Sequence, residues 1–229
     1  MARNMLITAD QFALDQNFRA KTIKRLPEPG TYNILQRRRK RIFDTLVASV
    51  LFVFLLPALL VIAIGIKATS QGPVLFRQTR YGRFKQPFEI LKFRTMTVQE
   101  SGDNFQQAVK DDPRVTSFGK FLRRTSLDEL PQLWNVIRGD MSLVGPRPHA
   151  TSMDDELAKR IIGYDNRFLM RPGITGLAQC KGFRGGTEHM SQIIGRLCRD
   201  LYYVRNRSMS MDLRILFETA IGLLRHDAY

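Results

Sequence analysis

From Thr45 to Ile66 the chain reads TLVASVLFVFLLPALLVIAIGI, an apolar run of about 22 residues without a charge, roughly 33 Å long as an α-helix and enough to cross a hydrocarbon core of about 30 Å. The pattern therefore predicts a membrane helix. Pro57 stands near its middle, where it removes one backbone hydrogen bond at a cost of roughly 3 kcal/mol if nothing compensates. Basic residues flank the run on both sides: RRRKR at 37–41 before it, and Lys67, Arg77, Arg80, Arg83 and Lys85 after it. Lys and Arg close to a membrane segment favour the cytoplasm, so both ends are expected there. Pro57 is then the membrane break of a re-entrant helix-break-helix hairpin. The competing reading is a single span kinked at Pro57.

Beyond Ile66 the apolar spacing shortens. Gly72 and Pro73 mark a turn, and two β-prone runs, 74–78 and 88–93, lie around Gly82, predicting a β-hairpin with basic residues on its polar face. Residues 99–116 are polar and turn-rich and read as a loop. In FGKFLRR, Phe118, Phe121 and Leu122 recur at helical spacing beside Lys120, Arg123 and Arg124. That is the pattern of a short helix facing a core or lying in a membrane interface, and the neighbouring apolar run favours the interface. RGDMSLVGPRPH, 138–149, reads as a loop from its Gly and Pro. Residues 154–169, 188–206 and 211–224 read as helices. RPGITGLAQCKGFRGG, between the first two, reads as turn and short strand, with glycines that permit close backbone approach to a ligand.

Composition narrows the partners. A chain of 229 residues with 44% hydrophobic positions suits one domain with a core. Its 36 Lys and Arg against 21 Asp and Glu, a net +15, call for an anionic partner: nucleic acid, acidic lipid or a phosphorylated substrate. Placed directly before the apolar run, RRRKR reads better as a clamp on anionic headgroups, worth about 1 kcal/mol per basic residue, than as a nucleic-acid patch. Cys180 and Cys198 lack metal or redox spacing and read as packing residues that a reducing compartment suits. His149, His189 and His226 are scattered and read as core or surface residues. The first thirty-odd residues hold no signal-peptide core, and there is no repeat, Walker loop or dinucleotide fingerprint.

One stretch concentrates chemistry: RRTSLDELPQLWN, 123–135. Ser126 and Glu129 have the spacing of a capping box, but that start would make Pro131 the fifth helical residue, where its ring clashes with the carbonyl of Leu127. A cap at Asp128 instead makes Pro131 the third, where no N–H is needed. Either start is compatible with a reaction centre. Asp128 and Glu129 would point about 100° apart on a helix, flanking one centre in different roles rather than sharing a proton. Arg147, held between Pro146 and Pro148, sits on a stiff loop suited to closing a planar fork on phosphate oxygens.

Six motifs, taken in order, resemble the bacterial sugar transferases, the monotopic polyprenyl-phosphate phosphoglycosyl transferases. They are KRIFD, GPVLFRQTRYG, FEILKFRTM, LRRTSLDELPQLWNVIRGDMSLVGPRP, RPGITGLAQ and DLYYVRNRSMSMDLRILFET. The resemblance runs over about residues 39–224. It is to the small catalytic form, because the larger relatives carry extra N-terminal membrane helices and a further domain for which the sequence shows no room. Two departures stand out: the first 36 or so residues have no counterpart in the minimal core, and Leu56-Pro57 replaces the Ser-Pro of some members. The resemblance implies an α/β, mostly helical fold: a re-entrant membrane hairpin, interfacial amphipathic helices, a small β-hairpin and a cytoplasm-facing catalytic domain. Its parts are a polar extension 1–36, the basic flank and membrane helix 37–67, and the catalytic part 68–229, with 37–229 one functional unit.

The activity implied is transfer of a sugar 1-phosphate from a UDP-sugar to polyprenyl (undecaprenyl) phosphate, releasing UMP and initiating exopolysaccharide or surface-glycan synthesis. The place implied is the cytoplasmic face of the bacterial inner membrane. The resemblance assigns Asp128 as nucleophile, forming a covalent phosphosugar intermediate, with Glu129 beside it and Mg²⁺ on the diphosphate, for which Asp128 and Glu129 are the candidate ligands. A carboxylate can attack so anionic a centre only after its charge is neutralised, and Arg123, Arg124, Arg147, Lys92 and Arg94 are the candidate substrate-binding cations. Anionic phospholipid and a second copy of the chain are further expected partners; nucleic acid is not. GFRGG, 182–186, looks more like hexose 1-phosphate members than N-acetyl sugar members. Two rivals remain, a non-catalytic membrane-anchored scaffold for anionic lipid or glycan-assembly partners, and a glycosyltransferase that would release UDP. SLDELPQ beside GPRP disfavours the scaffold.

Overall fold

The computed structural model describes residues 34–97, 112–183 and 190–224. The extension before residue 34, most of the expected loop 99–116, residues 184–186 of GFRGG, His189 and His226 lie outside them.

A 36-residue helix, α1 (Ile34–Thr69), carries the apolar run. It continues through Pro57 as one element, where the sequence predicts a break. A single missing N–H does not end a helix in which Leu55, Leu56, Ala58, Leu59 and Leu60, all good apolar helix formers, surround the proline and whose two ends are both docked. At the N-terminal end Lys40 Nζ lies 3.1 Å from Asp212, the Ser142 hydroxyl donates to Asp44 at 2.7 Å, and Arg41 donates to the carbonyls of Val136 and Ile137. At the other end Ile62 and Ile66 are buried with Phe93 and Leu122, and the Phe118 ring lies so close to Gly65 that a Cβ there would meet it at 2.8 Å. Between these anchors Val50, Val53, Phe54, Leu60, Val61 and Ile64 face outward and are exposed.

The expected hairpin is present as β1 (Leu75–Tyr81) and β2 (Pro87–Phe93), antiparallel with Leu75 opposite Phe93 and Tyr81 opposite Pro87. A 3-10 turn, Arg83–Lys85, joins them. Helix α2 (Ser117–Arg124) forms where the spacing predicts it, capped by the Thr116 hydroxyl, which accepts from the Gly119 N–H at 2.9 Å. Helix α3 (Gln132–Arg138) docks on β2 through the fully buried Asn135. Its Oδ1 accepts from the Leu91 N–H at 2.9 Å and its Nδ2 donates to the Glu89 carbonyl at 2.7 Å.

The segment 138–149 is not a loop throughout. Its centre is a buried strand, β3 (Ser142–Val144), paired in parallel with β4 (Gly173–Thr175). Three residues carry no readable period, and their partner is far along the chain. The backbones meet so closely beyond the pairing that a Cβ on Gly173 would sit 2.1 Å from the Gly145 nitrogen. The helix expected over 154–169 is split into α4 (Thr151–Arg160) and a 3-10 segment, Tyr164–Leu169, at Gly163, which takes φ 81°. Helices α5 (Leu177–Cys180), α6 (Met190–Asn206) and α7 (Met209–Leu224) complete the mostly helical body. Cys180 and Cys198 are free thiols, half-buried and buried.

Candidate active site

Helix α2 gives way to Ser126 in the left-handed region, φ 57° and ψ 17°, and the chain turns at once into a 3-10 segment, Leu127–Glu129. Pro131 then stands immediately before α3 with φ −59°, a position where its missing N–H costs nothing. Neither cap expected from the sequence forms: the Ser126 side chain makes no capping hydrogen bond, and α3 starts after Pro131 rather than before it. A left-handed non-glycine residue costs on the order of 1–3 kcal/mol, and such residues cluster at functional sites. The tight reversal frees Glu129 from capping and lays both carboxylates over β2.

The two acids have opposite surroundings. Glu129 Oε1 accepts from Lys92 Nζ at 2.7 Å and from Arg147 Nη2 at 2.6 Å, while Oε2 accepts from Arg147 Nη1 at 3.1 Å. Burial alone would raise its pKa, but the Arg147 and Lys92 cations outweigh it and hold the carboxyl well below the usual range. Asp128 is buried, 9% exposed, and among the described residues nothing hydrogen-bonds its carboxylate. Burial pushes that carboxyl up to about 6, with Lys92 opposing, the Glu129 charge adding, and Arg147 and Arg123 opposing. One acid is thus a permanent anion clamping two cations. Its neighbour is a carboxylate short of partners, with a raised proton affinity, at the lip of the same cluster.

Of the other expected cations, Arg123 lies near Asp128 and donates to the Thr95 hydroxyl at 2.9 Å. Arg124 is exposed. Arg94 is not brought to the carboxylates: it is buried and donates to the Ser70 carbonyl and hydroxyl, both at 2.8 Å, at the end of α1. Two features escaped sequence reasoning. Arg80, on β1, is desolvated, and with Arg147 nearby its pKa falls to about 10 although Asp154 and Glu129 oppose this. The sequence marked it only as one of the basic residues after the apolar run and a member of GPVLFRQTRYG, not as a neighbour of the carboxylates. The second is a buried cluster behind the proline loop. Arg167 donates to the Arg147 carbonyl at 2.5 Å, to Asp154 at 2.9 Å, to Asp200 at 3.0 Å and to His149 Nδ1 at 2.7 Å. It fixes the backbone from which Arg147 reaches Glu129, and no local spacing announces it.

Among the described residues no group of three or more His, Cys, Asp or Glu is placed to hold a metal. A Mg²⁺ ion at substrate phosphates needs only one or two carboxylates, the remaining ligands being phosphate and water oxygens. Asp128, buried and without a protein partner, fits that requirement. Glu129 fits it only when Lys92 or Arg147 turns toward a substrate.

The family described as bacterial sugar transferase matches residues 35–226. The chain is 45% identical over 228 residues to the UDP-glucose:undecaprenyl-phosphate glucose-1-phosphate transferase of Klebsiella pneumoniae, covering 89% of this chain and 49% of that protein. It is 50% identical over 189 residues to the Caulobacter vibrioides protein of the same name, covering 82% and 71%. With the exopolysaccharide production protein PSS of Rhizobium leguminosarum bv. phaseoli it shares 45% identity over 192 residues, covering 81% and 94%. The chain therefore spans about half the length of the first relative and most of the other two.

Proposed function

The chain belongs to the bacterial sugar transferase family, and from that premise we propose that it transfers a sugar 1-phosphate from a UDP-sugar to undecaprenyl phosphate, releasing UMP. The observation that carries this reading is the contrast at 128–129: a partnerless buried Asp128 beside a Glu129 that holds Lys92 and Arg147 in one place. A scaffold has no use for a carboxylate kept at the cost of desolvation, whereas perturbed acids of this kind collect at reaction centres. A hexose, glucose first, is the sugar proposed, after the names of the relatives.

An Asp128 oxygen attacks the phosphorus that bears the sugar. The bond from that phosphorus to the bridging oxygen breaks, and UMP leaves with the electron pair. A phosphate oxygen of undecaprenyl phosphate then attacks the same phosphorus, the Asp128 oxygen–phosphorus bond breaks, and the carboxylate is regenerated. Lys92 and Arg147 spread the charge of the diphosphate as it reacts, and Glu129 keeps both cations positioned before substrate arrives. Mg²⁺, with Asp128 and Glu129 as ligands, would supply further charge neutralisation there.

The same reading covers the membrane. One side of α1 packs on the body from Phe43 through Phe52, Leu55 and Leu59 to Ile66, while the outward side of its middle is exposed and apolar, and a helix held to one body along its length supports a re-entrant segment with the catalytic part on the cytoplasmic face rather than a full span. Trp134, 45% exposed, suits the headgroup level, where amphipathic aromatic rings collect. The test is purified protein in detergent with Mg²⁺, undecaprenyl phosphate and a panel of UDP-sugars. UMP release with UDP-glucose or UDP-galactose is the expected result. Release of UDP, or no turnover while a known relative works alongside, overturns the reading.

A further inference from the structure

A second cleft lies at the foot of α1 and shares no residue with the carboxylate site. It is open, and its lining carries six cations, Arg37, Lys40, Arg41, Arg83, Arg171 and Arg207, against one acid, Asp44. Asp44 and Asp212 answer Lys40, and Asp212 also answers Arg207. Others are held by neutral acceptors that leave their charge intact: Arg41 by the carbonyls of Val136 and Ile137, Arg83 by the Leu169 carbonyl at 3.3 Å, and Arg171 by the Gly139 carbonyl at 2.7 Å. The crowding is felt. Burial and then the charges of Arg37 and Arg171 lower the pKa of Arg83, and burial and then Arg41 lower that of Arg171, with Asp44 and Asp140 opposing. Backbone acceptors hold these side chains in a fixed, converging array, which an anion with several oxygens would relieve by charge-assisted hydrogen bonds.

The rim points to the source of that anion. Phe84 and Lys85, in the turn that carries Arg83, are both left-handed, φ 56° and 57°. The Phe84 ring is 53% exposed, with the Arg83 guanidinium 4.3 Å from its centroid. A soluble phosphate gains nothing from an exposed ring presented by a strained turn; an amphiphile does. We propose that this cleft binds the phosphate of an anionic phospholipid, with Arg83 and Arg171 as its principal ligands and Phe84 at the boundary with the acyl chains. The inference rests on the membrane association argued above and adds a defined lipid site outside the catalytic centre.

The test follows the thermal midpoint of full-length protein in neutral detergent on titration with phosphatidylglycerol, phosphatidylcholine or inorganic phosphate. Phosphatidylglycerol is expected to raise Tm saturably, and the other two much less. Arg83→Ala with Arg171→Ala is expected to weaken the apparent affinity about tenfold or more, two basic residues being removed. Arg83→Lys with Arg171→Lys keeps the charge and should retain most of the effect, which guards against a folding defect in the alanine pair. UMP release by the alanine pair in detergent should match wild type. An unchanged phosphatidylglycerol shift in that pair, or an equal shift with inorganic phosphate or phosphatidylcholine, overturns the proposal. So does loss of UMP release with the lipid shift intact, which would give the cleft to a substrate. No phosphatidylglycerol shift in the wild-type protein while it releases UMP normally removes this site and leaves the catalytic reading standing.

Discussion

Asp128 and Glu129 are neighbours of the same chemical type, and their surroundings give them opposite properties. Glu129, between Lys92 and Arg147, is stabilised as an anion. Asp128 is destabilised as one, because burial costs it more than its neighbouring cations return. A carboxyl whose folded pKa is raised from 3.8 to about 6 binds protons more tightly in the native than in the unfolded state. Stability from this group is therefore greatest in acid and falls as pH rises through that interval, and the ionised form costs up to about 3 kcal/mol at neutral pH. Asp128→Asn keeps the shape and removes the charge. Turnover is expected to fall by about 10³-fold or more, while Tm stays level or rises. A folded variant with near wild-type UMP release would return Asp128 to a structural role.

At the scale of the element, α1 has the length of a span and the contacts of an anchor. Arg39 and Lys67, near its two ends, are both exposed, so Arg39→Cys and Lys67→Cys, each in a background with Cys180→Ala and Cys198→Ala, report on topology. Both should resist a membrane-impermeant thiol reagent in intact cells and react after lysis. Labelling of Arg39→Cys from outside would mean a full span. Because α1 already runs through Pro57, Pro57→Leu supplies the missing hydrogen bond and makes the continuous helix more stable by up to about 3 kcal/mol. It should move a fraction of Arg39→Cys molecules to the outside, since an unbroken run of about 22 apolar residues is long enough to cross.

Across the whole molecule, two buried titrations run in opposite directions. Burial, with Arg167 adding and Asp154 opposing, lowers the pKa of His149 to about 3. The unfolded chain then takes up a proton below about 6.5 that the native state refuses, so the stability due to His149 is whole above that pH and is lost as pH falls toward 3. Asp128 acts the other way on stability but, as the proposed nucleophile, must be ionised to attack. UMP release is therefore expected to rise through about pH 6 and to recover fully when an acid-treated sample is returned to neutrality. His149→Gln should flatten the decline of Tm between pH 6.5 and 4 and leave the acid limb of activity in place. A limb that moves with this substitution would show that activity follows unfolding rather than the Asp128 proton.

The long apolar helix, the hairpin, α2 and the pair of neighbouring acids in SLDELPQ were legible in the amino-acid order, whereas the break expected at Pro57 was not borne out by the continuous α1. Each is set by neighbours within a few positions, through hydrophobic period, turn residues and adjacent charge. The order also narrowed the partner to an anion, because net charge needs no fold to be counted. What it left open was every choice among distant partners. Lys92 and Arg147 converge on Glu129, but Arg94, two residues from Lys92, turns instead to Ser70. SLV became a strand only through Gly173–Thr175. Arg167 meets Asp154, Asp200 and the Arg147 carbonyl from three separate elements. Such pairings are decided by which charges burial forces together once the elements pack, a cost set by the interior and not by the spacing of residues along the chain. The two neighbouring acids show the same limit: their order placed them side by side, and only the packed structure made one a clamp on two cations and left the other buried with a raised proton affinity.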